Sequence, residues 1–258
     1  MGILRDFALC LGGVMLSMSV AAQPLVFKSG EYRAQLIELY TSQGCSSCPP
    51  AEQWLNAFKD SPDLWQTYVP IAFHVDYWDK LGWPDPYASS KYSARQRQHK
   101  RKGNVNSVYT PGFLVNGAEW RGYFGDQRLP DKSKIDFDLT VTVDEQGKTT
   151  VEYEWQDQAT VGNTESRQDS LGDLEFHVAV LGAGIETAVR RGENARRTLP
   201  QEFVALQHQT KKSAKDKVEF TISQYQRPEV QGYAIAAWIL DPKSQQVIQA
   251  TGGWLSEP

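Results

Sequence analysis

Residues Leu36–Ala51 read LIELYTSQGCSSCPPA, and this stretch decides the fold. Leu36, Ile37, Leu39 and Tyr40 have the pattern of a buried strand. Thr41-Ser42-Gln43-Gly44 then makes a short loop into Cys45-Ser46-Ser47-Cys48. Trp54, Leu55 and Phe58 follow at helical spacing and predict a helix over about 46–59, ended by Ser61-Pro62-Asp63. Pro49 and Pro50 fall in its first turn, where a missing N–H costs little. Two cysteines two residues apart at the entry to a helix can close a small disulfide ring and place one sulfur at the helix N-terminus. The unpaired N–H groups and positive dipole end favour thiolate over thiol there. That is a physical basis for redox chemistry.

Working outward, Tyr68–Tyr77 (YVPIAFHVDY) is a short apolar run that reads as a second central strand. Strand, helix and strand at this spacing make a βαβ unit with parallel pairing. A loop rich in Trp, Asp and Pro follows over Trp78–Pro86. A polar helix is predicted from Pro86 or Tyr87 to Lys102, with Gly103 as its C-cap. Its basic end, His99 to Lys102, suits the negative pole of that helix. Phe113–Val115 then reads as a strand entered through Thr110-Pro111, Asn116-Gly117 as a hairpin turn, and Glu119–Tyr123 as the return.

Beyond about Leu129 the texture becomes all-β. Phe137–Val143 and Thr149–Trp155 alternate around Glu145-Gln146-Gly147, and Asn163–Gly172 reads as a polar linker. Further strands are expected at Leu174–Leu181, Glu186–Arg191, Val218–Ile222, Tyr233–Leu240 and Gln246–Thr251. The expectation is two domains. Residues 24–128 would be α/β, and 129–258 a β-sandwich, immunoglobulin-like in general architecture.

The chain has 258 residues, 40% apolar and 22% charged, with a net charge of −4, which gives no case for nucleic acid or an acidic membrane surface. Residues 1–22 read as a secretory signal peptide: Arg5, an apolar run from Phe7 to Met18, then Val20-Ala21-Ala22. No other stretch is long enough to span a membrane. Export, to a periplasm more than to the medium, places the chain where a disulfide persists. Loss of the signal removes Cys10 and leaves Cys45 and Cys48 as the one possible intrachain pair. A bridge closing so short a loop is a poor structural staple, so chemistry is the better reason for it.

These features together resemble the thioredoxin fold over roughly residues 30–125: strand–loop–CxxC–helix, a βαβ crossover to Ile71–Asp76, and Thr110-Pro111 opening a strand. The segments TSQGCSSCPPA, AFHVDYWDKLGWPDP and YTPGFLVNG resemble more closely a family of exported bacterial thioredoxin-like proteins of unknown function. Members of that family also carry a β-rich second half with a segment like Arg191-Gly192-Glu193-Asn194 and Arg197-Thr198-Leu199. The resemblance implies thiol–disulfide exchange with exported client proteins and a redox partner, with no cofactor. It makes Cys45 the exposed attacking thiolate, Cys48 the buried resolving thiol, and Cys45–Cys48 the disulfide. Pro111 would be a cis-proline with Thr110 as a substrate contact. Glu38 falls at the strand position of a buried proton acceptor, although a structural ion pair is the other reading of a carboxylate there.

The departures are Gly44 where an aromatic residue precedes the first cysteine, and no Lys or Arg within three residues of Cys45. Ser46-Ser47 between the cysteines leaves the potential open within the roughly −270 to −120 mV spanned by known dithiols. Two other functions compete. A copper-handling module would use the thiolates with His74, beside Asp76. A partner-binding module would use the Tyr77–Trp83 loop, with Trp78 lining a groove, or the arginines of Arg190–Leu199. Four zinc ligands at finger spacing, a phosphate loop and a Ser-His-Asp triad are absent from the sequence.

Overall fold

The computed structural model describes residues 23–125, 128–155, 173–223 and 227–258. The expected signal peptide and the 163–172 linker lie outside them. The first half supplies strands β1 (Leu25–Lys28) and β2 (Gln35–Thr41), helix α1 (Pro49–Asn56), strand β3 (Tyr68–His74), helix α2 (Ser90–Arg101), and strands β4 (Gly112–Val115) and β5 (Ala118–Glu119). The second half supplies β6 (Phe137–Val143), β7 (Lys148–Trp155), β8 (Leu174–Ala183), β9 (Ile185–Ala188), β10 (Thr198–Gln201), β11 (Val204–Ser213), β12 (Lys217–Thr221), β13 (Gly232–Leu240) and β14 (Val247–Ser256). The fold is β-rich.

An eight-stranded sheet, in the order β14-β13-β8-β11-β3-β2-β4-β5, runs through the molecule. Parallel β2 and β3 flank α1 in sequence, as the βαβ reading expects, and β4 joins β2 antiparallel. The hairpin at Asn116-Gly117 has both residues at positive φ, 52° and 85°, as a tight turn between antiparallel strands requires. Its return strand is only Ala118–Glu119, and a 3-10 turn over Gly122–Gly125 replaces the rest. Helix α1 is shorter than its apolar spacing predicts, because its last turn tightens into a 3-10 segment at Ala57–Asp60. Helix α2 starts at Ser90, where the Ser89 hydroxyl caps the Lys91 N–H, and ends before Gly103 at φ 79°.

The largest correction concerns the expected boundary at 128/129. Strand β11 is inserted between the two halves, with Val204 paired parallel to Ala72 of β3 and Val204–Ser213 antiparallel to β8. Its sequence, VALQHQTKKS, lacks apolar alternation after Leu206 and gives no strand signal of its own. The second-half strands therefore extend the sheet built by the first half instead of closing a separate immunoglobulin-like sandwich. A sandwich-like packing does exist. The four-stranded sheet β1-β6-β7-β12 packs Phe137, Leu139, Val151 and Phe220 against Phe176, Val178, Ile235 and Ile239 of β8 and β13. The alternate residues of those two strands, Ala179, Leu181, Ala236 and Trp238, belong to the other core with Tyr40 and Phe73. Coverage on both faces explains why β8 is buried along its length.

Candidate functional site

Cys48 is the N-cap of α1 and Pro49 and Pro50 occupy its first positions, so the CxxC loop is delivered directly into the helix. Cys45 and Cys48 are disulfide-bonded, with Cα atoms 5.4 Å apart. Two tight turns shape the loop: Cys45 N–H donates to Ser42 O at 3.1 Å and Cys48 N–H to Cys45 O at 3.2 Å. The Ser47 hydroxyl lies 3.4 Å from Cys45 Sγ.

One expectation fails here. Cys45 was to be the exposed sulfur, yet Cys45 and Cys48 are both 0% exposed, and only Ser46 and Ser47 face solvent. The segment joining β9 to β10 bonds to the backbone of this loop. Asn194 Nδ2 donates to both Gln43 O and Cys45 O at 2.9 Å, and Glu193 Oε2 accepts the Ser46 N–H at 3.0 Å.

Glu38 also departs from its expected role. Side chains alternate along β2, so Glu38 and Tyr40 point to α2 while Thr41 points to α1. Arg95 Nε and Nη2 donate to the two Glu38 oxygens at 2.8 and 2.7 Å, and Tyr40 OH donates to Oε2 at 2.9 Å. Burial pushes the carboxyl up, but Arg95, aided by His99 and Tyr40, outweighs it and holds Glu38 at about 2. A carboxylate locked in that pair does not take protons near neutral pH. Glu38 is the structural ion pair of its second reading.

The carboxyl that shares the cysteines' helix is Glu52. Its N–H donates to Cys48 O at 3.0 Å, one helical turn on, so the two side chains rise from the same face. Glu52 is buried and accepts from the Thr41 hydroxyl at 2.5 Å and from Gln201 Nε2 at 3.0 Å. Burial raises its pKa above the usual carboxylate range, and His74, Thr41 and Gln201 offset this only in part. A cleft of about 240 Å³, lined by Pro49, Glu52, Gln53 and Leu199 among others, opens beside it between α1 and β10.

His74 is fully buried, and its Nδ1 lies 2.7 Å from Asp85 Oδ2. Burial lowers its pKa, but the Asp85 charge overrides this and keeps the imidazole protonated to higher pH, while Asp85 is itself held low by His74 despite burial. Asp85 also fixes the CxxC loop by accepting the Gln43 N–H at 2.8 Å. Gln43 ties that loop to the second half: its Nε2 donates to Thr187 at 3.0 Å and Gln201 at 2.7 Å, and its Oε1 accepts from Trp83 Nε1 at 3.0 Å. Among the described residues, no group of three or more His, Cys, Asp or Glu is arranged to hold a metal ion.

Thr110, Pro111 and Trp78 do come together. The Thr110–Pro111 bond is cis, and Trp78 Nε1 donates to Thr110 Oγ1 at 2.7 Å. Trp78 also packs on the CxxC loop, since a Cβ on Gly44 would stand 3.3 Å from Trp78 Cβ. Sequence reasoning missed Glu52, Gln43, Asp85, Asn194 and Gln201. Glu52 alone carried a readable signal, a lone acid four residues after Cys48 on an apolar helix face. The other four act through contacts distant in sequence.

No curated protein matches the chain. Among solved structures, an X-ray crystal structure of a protein from Agrobacterium tumefaciens is similar with a TM-score of 0.55 at 22% identity, covering 87% of this chain and 95% of that one. HBP35 of Porphyromonas gingivalis is similar with a TM-score of 0.52 at 15% identity, covering 89% of this chain and 78% of that one. At such identities the likeness is one of fold alone. The profile of one family matches residues 36–240, the span that holds the CxxC loop, both helices and the strands from β2 to β13, and the chain belongs to that family, Protein of unknown function (DUF1223).

Proposed function

We propose that this is an exported thiol–disulfide exchange protein whose first half is a thioredoxin-like unit, with Cys45 and Cys48 as its redox pair. The observation that carries the reading is a disulfide closed at the N-cap of α1 with a buried carboxyl one turn below it, its pKa raised by that burial. The positive dipole end of the helix favours a thiolate, and Glu52 supplies the proton traffic that a resolving cysteine needs.

In the oxidising direction a client thiolate attacks Cys45 Sγ and the Cys45–Cys48 bond breaks. Cys48 leaves as a thiolate and is reprotonated, with Glu52, whose pKa burial raises, as the proposed acid. A second client thiolate then attacks the client sulfur of the mixed disulfide and releases Cys45. The client becomes a disulfide and the protein a dithiol; the reverse sequence reduces a client. Trp78, packed on the CxxC loop at Gly44, and Thr110, which accepts from Trp78, are the proposed contacts for the client chain.

The test is variant chemistry with a disulfide-bonded peptide as client and each variant in its reduced form, so that a Cys45 thiolate attacks the client disulfide and a client thiolate leaves. Cys45→Ser is expected to abolish turnover, and Cys48→Ser to accumulate the mixed disulfide, detected by mass. Undiminished turnover in both variants would refute the mechanism.

A second reading, a partner-binding module with an incidental bridge, is favoured by one observation, the burial of Cys45 under the Glu193–Asn194 segment. It predicts a pair that stays oxidised and no mixed disulfide in either variant.

A further inference from the structure

The segment Val189–Arg197, between β9 and β10, bonds to the redox loop at Gln43, Cys45 and Ser46. Asn194 is buried, and Arg197 Nη1 donates to its Oδ1 at 2.9 Å, which orients the amide so that its nitrogen serves the Gln43 and Cys45 carbonyls. Two further bonds fold the segment on itself: Arg196 N–H to Val189 O at 2.8 Å and Val189 N–H to Arg197 O at 2.9 Å. Gly192 packs against the Trp78 loop, where an added Cβ would lie 3.1 Å from Trp83 Cβ. The exposed Glu193 carboxylate then takes the Ser46 N–H, the backbone donor next to Cys45.

We infer that Val189–Arg197 is a gate over Cys45, and that Glu193 is a positioning residue that latches it and opposes thiolate formation at that sulfur. The inference rests on the exchange reading. In the disulfide the sulfur is uncharged, and Glu193 holds the Ser46 N–H unopposed. After reduction a Cys45 thiolate faces the carboxylate across one peptide unit and competes for the same donor. Thiolate and closed gate therefore disfavour each other, and by linkage each state of the pair sets the population of the gate. A client must open the gate to reach Cys45, and reduction of the pair makes it easier to open. Ser46 keeps the Glu193 pKa below the usual carboxylate range, so its charge is present wherever the thiol titrates.

Glu193→Gln keeps an acceptor for Ser46 and removes the charge on an exposed side chain. The other charged groups around the loop are common to both proteins: Glu52 on α1, His74 on β3, Asp79 and Asp85 before α2, and Arg197 in the gate. Both proteins are reduced with a phosphine, and alkylation of Cys45 by iodoacetamide is followed against pH. Below the thiol midpoint the Gln variant is expected to react about fivefold faster, the order set by one unit charge at short range in a water-like medium, and added salt narrows the gap. Asn194→Ala, which frees the gate without changing charge, is expected to speed reduction of the oxidised pair by glutathione by a similar factor.

Superposable alkylation profiles for Glu193→Gln and the parent overturn the role of Glu193 and leave the exchange reading standing. An Asn194→Ala protein reduced no faster than the parent overturns the gate. A pair that no phosphine reaches in either protein also overturns it, because a gate opens. Shifted profiles together with no disulfide transfer to a dithiol peptide refute exchange and leave the gate.

Discussion

Two buried carboxyls, Glu38 and Glu52, lie on opposite sides of the same strands, and they have opposite fates. Both are taken out of water, which by itself raises a carboxyl pKa. On the α2 side, Arg95 meets Glu38 with two charge-assisted bonds and makes it a permanent anion. On the α1 side, Glu52 meets a hydroxyl and an amide, and His74, which also acts on its charge, is paired with Asp85. It keeps its proton to higher pH. Burial fixes the cost of charge, and the partner decides whether the charge exists. The cysteine pair shares its helix with the carboxyl whose pKa is raised.

The sharpest way to break this comparison is to remove the cation. Arg95→Met strands the Glu38 charge in the core and is expected to destabilise the fold by about 3–5 kcal/mol in urea denaturation. Adding Glu38→Gln should restore part of that loss, and no recovery would mean that Arg95 matters through packing instead.

The pH dependence of stability separates the two carboxyls. Glu38 has a folded pKa below its unfolded value, so its contribution is present above about pH 4.5 and lost as pH falls toward 2, roughly 3 kcal/mol over that range. Glu52 has a folded pKa above its unfolded value. The native state then holds the extra proton, and stability declines as pH rises from about 4.5 through the folded pKa. Glu38→Gln should flatten the acid limb alone and Glu52→Gln the decline alone, read from denaturation midpoints across pH.

In exchange with a dithiol peptide, Glu52→Gln is expected to slow turnover by on the order of tenfold to a hundredfold and to erase a pH inflection, whereas Glu38→Gln shifts neither. The smallest effect belongs to Trp78→Phe. It loses the bond to Thr110 and should cost about 1 kcal/mol in stability, with a weaker apparent affinity for a client peptide.

The α1 half of this picture was largely legible in the sequence. The strand–CxxC–helix order, the parallel return strand and the turn at Asn116-Gly117 all follow from local patterns whose causes are local. What was not legible depends on contacts across the chain. Strand β11 carries Gln207, His208 and Gln209 where a central strand usually carries aliphatics. It is tolerated there because His208 stacks on Trp238 and His177, at ring separations of 5.3 and 5.1 Å. Nothing in its own residues announces those partners. Which of the two readings of Glu38 holds was hidden for the same reason: its position on an apolar strand was visible, but its partner Arg95 lies 57 residues away. The bonds that Asn194 and Glu193 make to the CxxC loop likewise come from a segment whose own sequence reads as an ordinary polar turn.

The most direct test of the central claim is an equilibrium redox titration of residues 23–258, with alkylation and mass readout of the Cys45–Cys48 pair. Exchange predicts one reversible two-electron transition with a midpoint between roughly −270 and −120 mV. A pair still oxidised below about −300 mV would behave as a structural bridge and contradict the account.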